Sequence, residues 1–276
     1  MTSQIALQIY SLVKNGTIKS NAMFWKDFYA QKKFNDYDID TKNAKQELND
    51  KKFNVICVFD ENFPSIPENI KNSEKPFLFV YKGDIKLLKQ TENNIAVIGV
   101  LTPTDDIKIR EQKIVKELIN KKLTIVSGLA KGCDSIAHRT CLENKGKTIA
   151  ILPTTLDNIY PKENAQMIDD IVKAGGLVIS EYIFEPTNKY ERINRFIARD
   201  RLQTMFSKAI VLIASYTPGS GDSGSRHAMT KAKEYGKARY VMFNASSDRN
   251  QKIFELNEQE IETQAIILTS KTIKEI

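Results

Sequence analysis

Three cysteines, Cys57, Cys133 and Cys141, are all that this 276-residue chain carries, and no two are spaced as a CxxC pair. An odd, scattered set excludes a disulfide framework and argues against a structural zinc site. Histidine is scarcer still, with only His138 and His227. Metal or triad chemistry therefore has few candidates. No stretch approaches the roughly 18 consecutive apolar residues of a membrane helix, so no membrane partner is expected. Met1-Thr2-Ser3-Gln4 and the short apolar stretch to Val13 lack the basic start and small-residue cleavage site of a secretory signal. The chain reads as cytoplasmic. Internal repeats, low-complexity tracts and long linkers are missing as well.

What is there is 41% hydrophobic and 27% charged, which is ordinary for a globular protein and unlike a disordered, collagen-like or coiled-coil chain. The length allows one large domain, or a small one beside a medium one. With 41 Lys+Arg against 34 Asp+Glu the formal charge is +7. All of that surplus sits in residues 186–240, which hold 11 basic and 4 acidic side chains, while the remainder balances at 30 and 30. Six of the nine arginines fall in the same stretch, and the planar guanidinium suits bidentate phosphate recognition. Two readings stand at this point. One is a set of solvated helix faces, the usual outcome of a charge run; the other is a polyanion site, because clustered cations are the footprint of nucleic-acid binders.

From about residue 94 short β-branched runs alternate with stretches of helical spacing. Strands are predicted at 95–99, 123–128, 148–152, 176–180, 209–214 and 239–243, with a possible seventh at 265–268. Helices are predicted at 107–118, 135–143, 164–174, 192–206 and 227–235. Continuous apolar strands separated by helices mean a mostly parallel sheet covered on both faces, a doubly wound α/β fold. Residues 1–48 read as a small helical N-terminal region with two short helices, and 49–276 as the main domain with its core at 94–245. Strands at 51–59 and 77–81, around a turn-rich 60–73, precede the main sheet. In doubly wound sheets ligands bind outside the carboxyl ends of the strands, so the loops after Gly99, Ser127, Leu152, Ser180, Ala214 and Phe243 form the expected functional edge. Topology thus brings the basic stretch to that edge.

Two of those loops are rich in glycine. Ser127-Gly128-Leu129-Ala130-Lys131-Gly132-Cys133-Asp134 joins a buried strand to a helix, where free backbone N–H groups can face an anion and Asp134 or Ser135 can cap the helix. Pro218-Gly219-Ser220-Gly221-Asp222-Ser223-Gly224-Ser225 has the same placement. Two such loops beside an arginine-rich helix favour a phosphate-bearing ligand. Neither ends in the glycine-lysine-serine/threonine of a P-loop, and no dinucleotide fingerprint is present. His138, one turn into a helix, is expected to make a structural hydrogen bond. His227, beside Arg226 at a helix start, suits either a phosphate or solvent. Cys133 and Cys141 read as packed thiols, and Glu181, directly after a strand, as a carboxylate for a ligand or a structural bond. No catalytic constellation is found.

The motifs in order resemble the DprA/Smf family of DNA-processing proteins. The likeness rests on the 127–134 loop with Ala137-His138-Arg139, then Gly146-Lys147-Thr148-Ile149-Ala150-Ile151-Leu152, Leu156-Asp157, Ile159-Tyr160-Pro161, Glu163-Asn164 and Ser180-Glu181. It continues through Asn194-Arg195-Phe196-Ile197-Ala198, Ser223-Gly224-Ser225, Ala232 and Gly236-Lys237, with Phe63-Pro64, Pro76-Phe77-Leu78 and Lys82-Gly83-Asp84 upstream. The resemblance implies an extended Rossmann-like domain that binds single-stranded DNA without sequence preference, without metal or nucleotide cofactor. It also implies protection of incoming DNA in natural transformation, help in loading the recombinase RecA, and a homodimer. Carried over to this chain, the DNA or phosphate site comprises Gly99, Gly128, Leu129, Ala130, Lys131 and Gly132, with Asn194 and Arg195 beside that loop and Ser223, Gly224, Ser225 and Arg226 opposite.

There are departures. Where the family has Gly-Ser-Arg after the first strand, this chain has Gly99-Val100-Leu101, and the phosphate-contacting arginine is lost. Arg192, Arg199 and Arg201 are expected to compensate as extra cations. Pro153-Thr154-Thr155 stands in place of a glycine-rich turn, and residues 199–207 read as a longer connection than the family's. The alternative reading is a nucleotide-binding sensor or nucleotide-processing protein of the same superfamily. Against an enzyme of the phosphoribohydrolase type stands the missing Pro-Gly-Gly-x-Gly-Thr motif. A structural protein acting by protein contacts alone is a third reading, which the basic helix argues against.

Overall fold

The computed structural model describes residues 2–34, 37 and 39–276; positions 1, 35, 36 and 38, within the stretch expected to be helical, lie outside the described residues. Three helices come first, α1 (Gln4–Lys14), α2 (Asn21–Tyr29) and α3 (Lys42–Asp50), one more than the sequence predicts. Strands β1 (Asn54–Cys57) and β2 (Leu78–Gly83) and the single turn α4 (Lys86–Lys89) follow. The alternating part runs β3 (Asn94–Ile98), α5 (Asp105–Asn120), β4 (Thr124–Ser127), α6 (Cys133–Glu143), β5 (Thr148–Leu152), α7 (Ala165–Lys173) and β6 (Leu177–Ser180). It continues with α8 (Lys189–Met205), β7 (Ala209–Leu212), α9 (Ser225–Glu234), β8 (Ala238–Val241), α10 (Glu255–Glu262) and β9 (Ile266–Ile267).

Local sequence sets several helix starts. Ser3 and Ser20 cap α1 and α2 by accepting from Ala6 N and Met23 N, satisfying N–H groups that the first turn would otherwise leave bare. Asn188 does the same for α8 through Glu191 N at 2.9 Å. That helix extends through Met205 and leaves only residues 206–208 before β7. Residues 199–205 are the last two turns of α8, as the helix expected at 192–206 requires, and Leu202 and Met205 bury against Ile149 and Ile151 and hold the helix in place.

Nine strands form one sheet in the order β1-β2-β6-β5-β4-β3-β7-β8-β9. β1 pairs antiparallel with β2 and β2 antiparallel with β6; every other pair is parallel. Alternation along β5 shows how both faces are covered. Ala150 and Leu152 join an apolar cluster with α7 and the N-terminal helices, while Ile149 and Ile151 face the cluster under α8, as the two-residue period of a strand requires. Tyr10, Phe24 and Trp25 of the N-terminal helices lie in that same first cluster. Among the described residues no helix is long and apolar enough to cross a membrane.

The chain leaves β3 toward β4 on one side and leaves β7, on β3's other flank, toward β8 on the opposite side. The loops at these two carboxyl ends diverge. A crevice opens between them, at the switch point where doubly wound sheets bind ligands.

Candidate nucleic-acid interface

A cavity of about 420 Å³ occupies that crevice. Its walls are apolar: Leu101 after β3, Tyr160 and Pro161 before α7, and Ile193, Phe196 and Ile197 on α8. Tyr160 and Phe196 meet edge to face with ring centres 5.8 Å apart. Tyr160, Ile193 and Ile197 keep substantial exposure, so the mouth offers apolar surface to whatever enters. The interior is polar, with Asp134, Arg199, Asp200, Gln203, Asp222 and His227.

The 128–132 loop is shaped by its own chain. Gly132 has φ +70°, and a Cβ there would meet Val100 O at 2.3 Å, so only glycine fits where this loop packs on the one after β3. Asn164 Nδ2 donates to Leu129 O and Ala130 O. The N–H groups of Gly128 and Ala130 donate to Asp134 Oδ2 at 3.1 and 3.3 Å. An internal carboxylate therefore sits where the sequence reading expects a phosphate. The second loop repeats the device: Asp222 accepts from Leu101 N at 2.7 Å and from Gly224 N at 3.3 Å. Asp134 thus binds the 128–132 loop rather than capping α6.

Arg199 is buried against that first loop. Nη1 donates to Ile151 O at 3.0 Å and lies 3.9 Å from Asp134 Oδ2, while Nε is 3.2 Å from Asp200 Oδ1. Burial raises the Asp134 carboxyl, with Arg199 and the loop N–H groups pulling the other way. Burial likewise pushes Asp200 up to about 7, against the Arg199 charge and helped by repulsion from Asp134.

The expectation that Arg199 and Arg201 serve as free cations is corrected by their burial. Arg201 Nη2 lies 2.7 and 2.8 Å from the two oxygens of Glu181, and its Nε donates to Glu74 O. Glu181 thus makes the structural bond that was one of its two expected roles. Arg195 is also buried: it pairs with Glu191 at 2.6 Å, donates to Phe184 O and lies 4.3 Å above the Tyr182 ring. Asn194 and Arg195 do not stand beside the 128–132 loop. A helix turns about 100° per residue, and α8 divides two cavities: Phe196, Arg199, Asp200 and Gln203 line the first, while Asn194, Arg195 and Arg201 line a second of about 590 Å³ toward the N-terminal helices.

Of the expected site residues, Gly99, Ala130, Lys131, Arg199, Gly224 and Ser225 converge on the first cavity, with Gly128 and Leu129 buried beneath them. Ser223 is half-buried in the second loop. Arg192 and Arg226 are exposed next to lining residues Ile193 and Ser225, and among the described residues neither has a carboxylate partner. Lys131 is exposed and bridged to Glu163 at 2.6 Å. Exposed cations thus lie on or next to the lining residues, one of them paired, while the floor carries three carboxylates to one guanidinium. Asp200, Gln203 and Tyr160 also line the cavity without having been expected there; for the first two the 196, 199, 200, 203 spacing of one helix face was the available signal. His138 Nδ1 lies 2.7 Å from Thr148 Oγ1, and Cys133 and Cys141 are buried free thiols, in line with their expected structural roles.

The fold and the crevice define an extended Rossmann-like protein with a ligand cavity at its topological switch point. The family model for DNA recombination-mediator protein A matches residues 54–275, and the chain belongs to that family of DNA-processing proteins, DprA/Smf. It is 35% identical over 162 residues to Protein Smf of Synechocystis, 37% over 146 residues to the DNA processing protein DprA of Streptococcus pneumoniae, and 29% over 184 residues to that of Bacillus subtilis. These matches take in 59%, 53% and 67% of this chain but span 39%, 49% and 58% of the relatives' length. The crystal structure of the S. pneumoniae protein superposes with a TM-score of 0.77 at 26% identity, covering 99% of this chain and 97% of that one. DNA processing protein A of Helicobacter pylori, studied for its single-stranded DNA binding mode, gives 0.65 at 29% identity, covering 81% and 93%.

Proposed function

We propose that this chain binds single-stranded DNA across the carboxyl edge of its sheet, and through it protects incoming DNA and helps load the RecA recombinase, as a cytoplasmic homodimer without catalysis of its own. The observation that carries the reading is a set of exposed cations, Lys131 in the lining of an aromatic-walled cleft and Arg192 and Arg226 next to its lining residues Ile193 and Ser225. A single strand needs both parts, cations for phosphates and ring or apolar faces for bases. The H. pylori relative's binding mode supports the choice of ligand. In this reading residues 49–276 carry the DNA site, and Val13 and residues 18–21 of the N-terminal region brace the second cavity. The nucleotide-sensor alternative draws on one feature, a cavity volume within the range of small-molecule sites.

Titrating fluorescent oligonucleotides at two salt concentrations, beside calorimetry with mononucleotides, tests the reading. Oligonucleotide affinity that falls steeply with salt is the expected result. Mononucleotide binding without oligonucleotide binding overturns it in favour of the sensor.

A further inference from the structure

Gln203 is fully buried, and neither its amide nitrogen nor its amide oxygen has a hydrogen-bond partner. Leaving such a group unpaired is costly, and this one lines the cavity at the switch point. Asp200, one helical turn earlier, lines it too. The two other floor carboxylates are held by backbone N–H groups, Asp134 by Gly128 and Ala130 and Asp222 by Leu101 and Gly224. Asp200 has only the Arg199 ion pair, which lacks hydrogen-bond alignment, since Arg199 Nε counts among the unpartnered buried atoms. One side of the cavity is therefore lined by a carboxylate without an aligned hydrogen-bond donor and by a buried, unpartnered amide on adjacent turns of one helix.

A phosphate does not suit that floor, where three carboxylates face a single guanidinium. A neutral planar group does, because the walls are Tyr160, Pro161, Phe196 and Ile197. Phosphates stay at the rim with Arg192 and Arg226, and a base turns inward. The polar pair then selects among bases by donor and acceptor order. A carboxylate accepts two bonds from adjacent N–H donors, and an amide N–H beside it calls for an acceptor. Guanine's pairing edge offers that sequence in full, the O6 acceptor followed by the N1 and N2 donors. Adenine, cytosine and thymine each offer at most one N–H group on that edge beside acceptors.

We propose that this cavity takes one guanine base of a single strand, with Asp200 accepting from its N1 and N2 donors and Gln203 donating to O6. The assignment rests on the single-stranded DNA reading and departs, at one position, from the sequence-independent binding that the resemblance implies.

The test uses fluorescence anisotropy of the full chain at pH 8, above the value of about 7 to which burial pushes Asp200, with oligothymidylates carrying a single dG, dA, dC or deoxyinosine at a central position. A dG oligonucleotide should bind about tenfold tighter than the others, the scale of one bidentate base contact. Deoxyinosine lacks only the N2 amino group, so in the unmodified protein it should lose most of that gain. Asp200→Asn should erase the difference between dG and dT, and Gln203→Leu should reduce it several-fold. Equal binding of all the oligonucleotides overturns the guanine assignment and leaves the single-stranded DNA reading standing. Calorimetric binding of deoxyguanosine monophosphate with no oligonucleotide binding overturns the DNA reading and retains the guanine assignment. The inosine arm needs no variant, so loss of folding in either substitution does not decide the outcome.

Discussion

Arg199 fills the space that a side chain at Gly128 would need: a Cβ built there would lie 1.2 Å from Nη1. Gly128→Ala must displace the guanidinium from Ile151 O, its buried acceptor. We expect a loss of about 1–3 kcal/mol, the usual cost of overpacking. In an Arg199→Ala background the same change should cost much less, and urea denaturation of the four proteins of the cycle measures the coupling.

Glu181 and Arg201 are a buried ion pair linking the end of β6 to α8. Glu181→Gln leaves the guanidinium buried without its counter-charge, and stability should fall by about 3–5 kcal/mol. Replacing both by apolar residues of similar volume should recover most of that loss in chemical denaturation.

Asp200 keeps its proton to about pH 7 in the folded chain, against a reference value of 3.8. Between those values the unfolded chain releases a proton that the folded chain retains, so this group makes folding less favourable as pH rises from about 3.8 to 7, with a constant penalty above. Asp200→Asn removes the effect. The variant should match the parent near pH 4 and melt several degrees higher near pH 8; an equal difference at both pH values would contradict the assignment.

Binding to oligonucleotides should depend on the rim rather than on the buried arginines. Arg192→Ala and Arg226→Ala should each weaken binding to all sequences and reduce the slope of log affinity against log salt by roughly 0.7, the value for one phosphate of a single strand. Glu163→Gln releases Lys131 from its 2.6 Å ion pair and should tighten binding at low salt. Arg195→Ala should act chiefly on stability, since its guanidinium is committed to Glu191 and Phe184 O.

Much of the architecture was legible in the residues. Short β-branched runs such as 149–152 and 209–212, too short for helices, read as strands buried on both faces, and the helical spacing between them points to a parallel sheet. Gly99 and Gly128, directly after two other strand runs, marked loops at the carboxyl edge. The site was legible only in outline. Asp134 reads as a helix cap, yet its reach back to Gly128 and Ala130 depends on how the loop folds over Val100. Arg195 and Arg199, four residues apart, read as one cationic face; the packing of α8 between two cavities sends them to different sites.

The sequence by itself determined the periodicities, the family motifs and the location of the whole charge surplus in residues 186–240, because these depend only on local spacing and composition. Tertiary structure decided which of those charges remain available. A guanidinium's role follows from what lies within about 4 Å of it, and those neighbours come from distant segments: Ile151 and Asp134 for Arg199, Glu181 and Glu74 for Arg201. Burial committed those arginines to the fold, left Arg192 and Arg226 at the rim, and put an unpartnered Gln203 and an open Asp200 on the floor of the cleft.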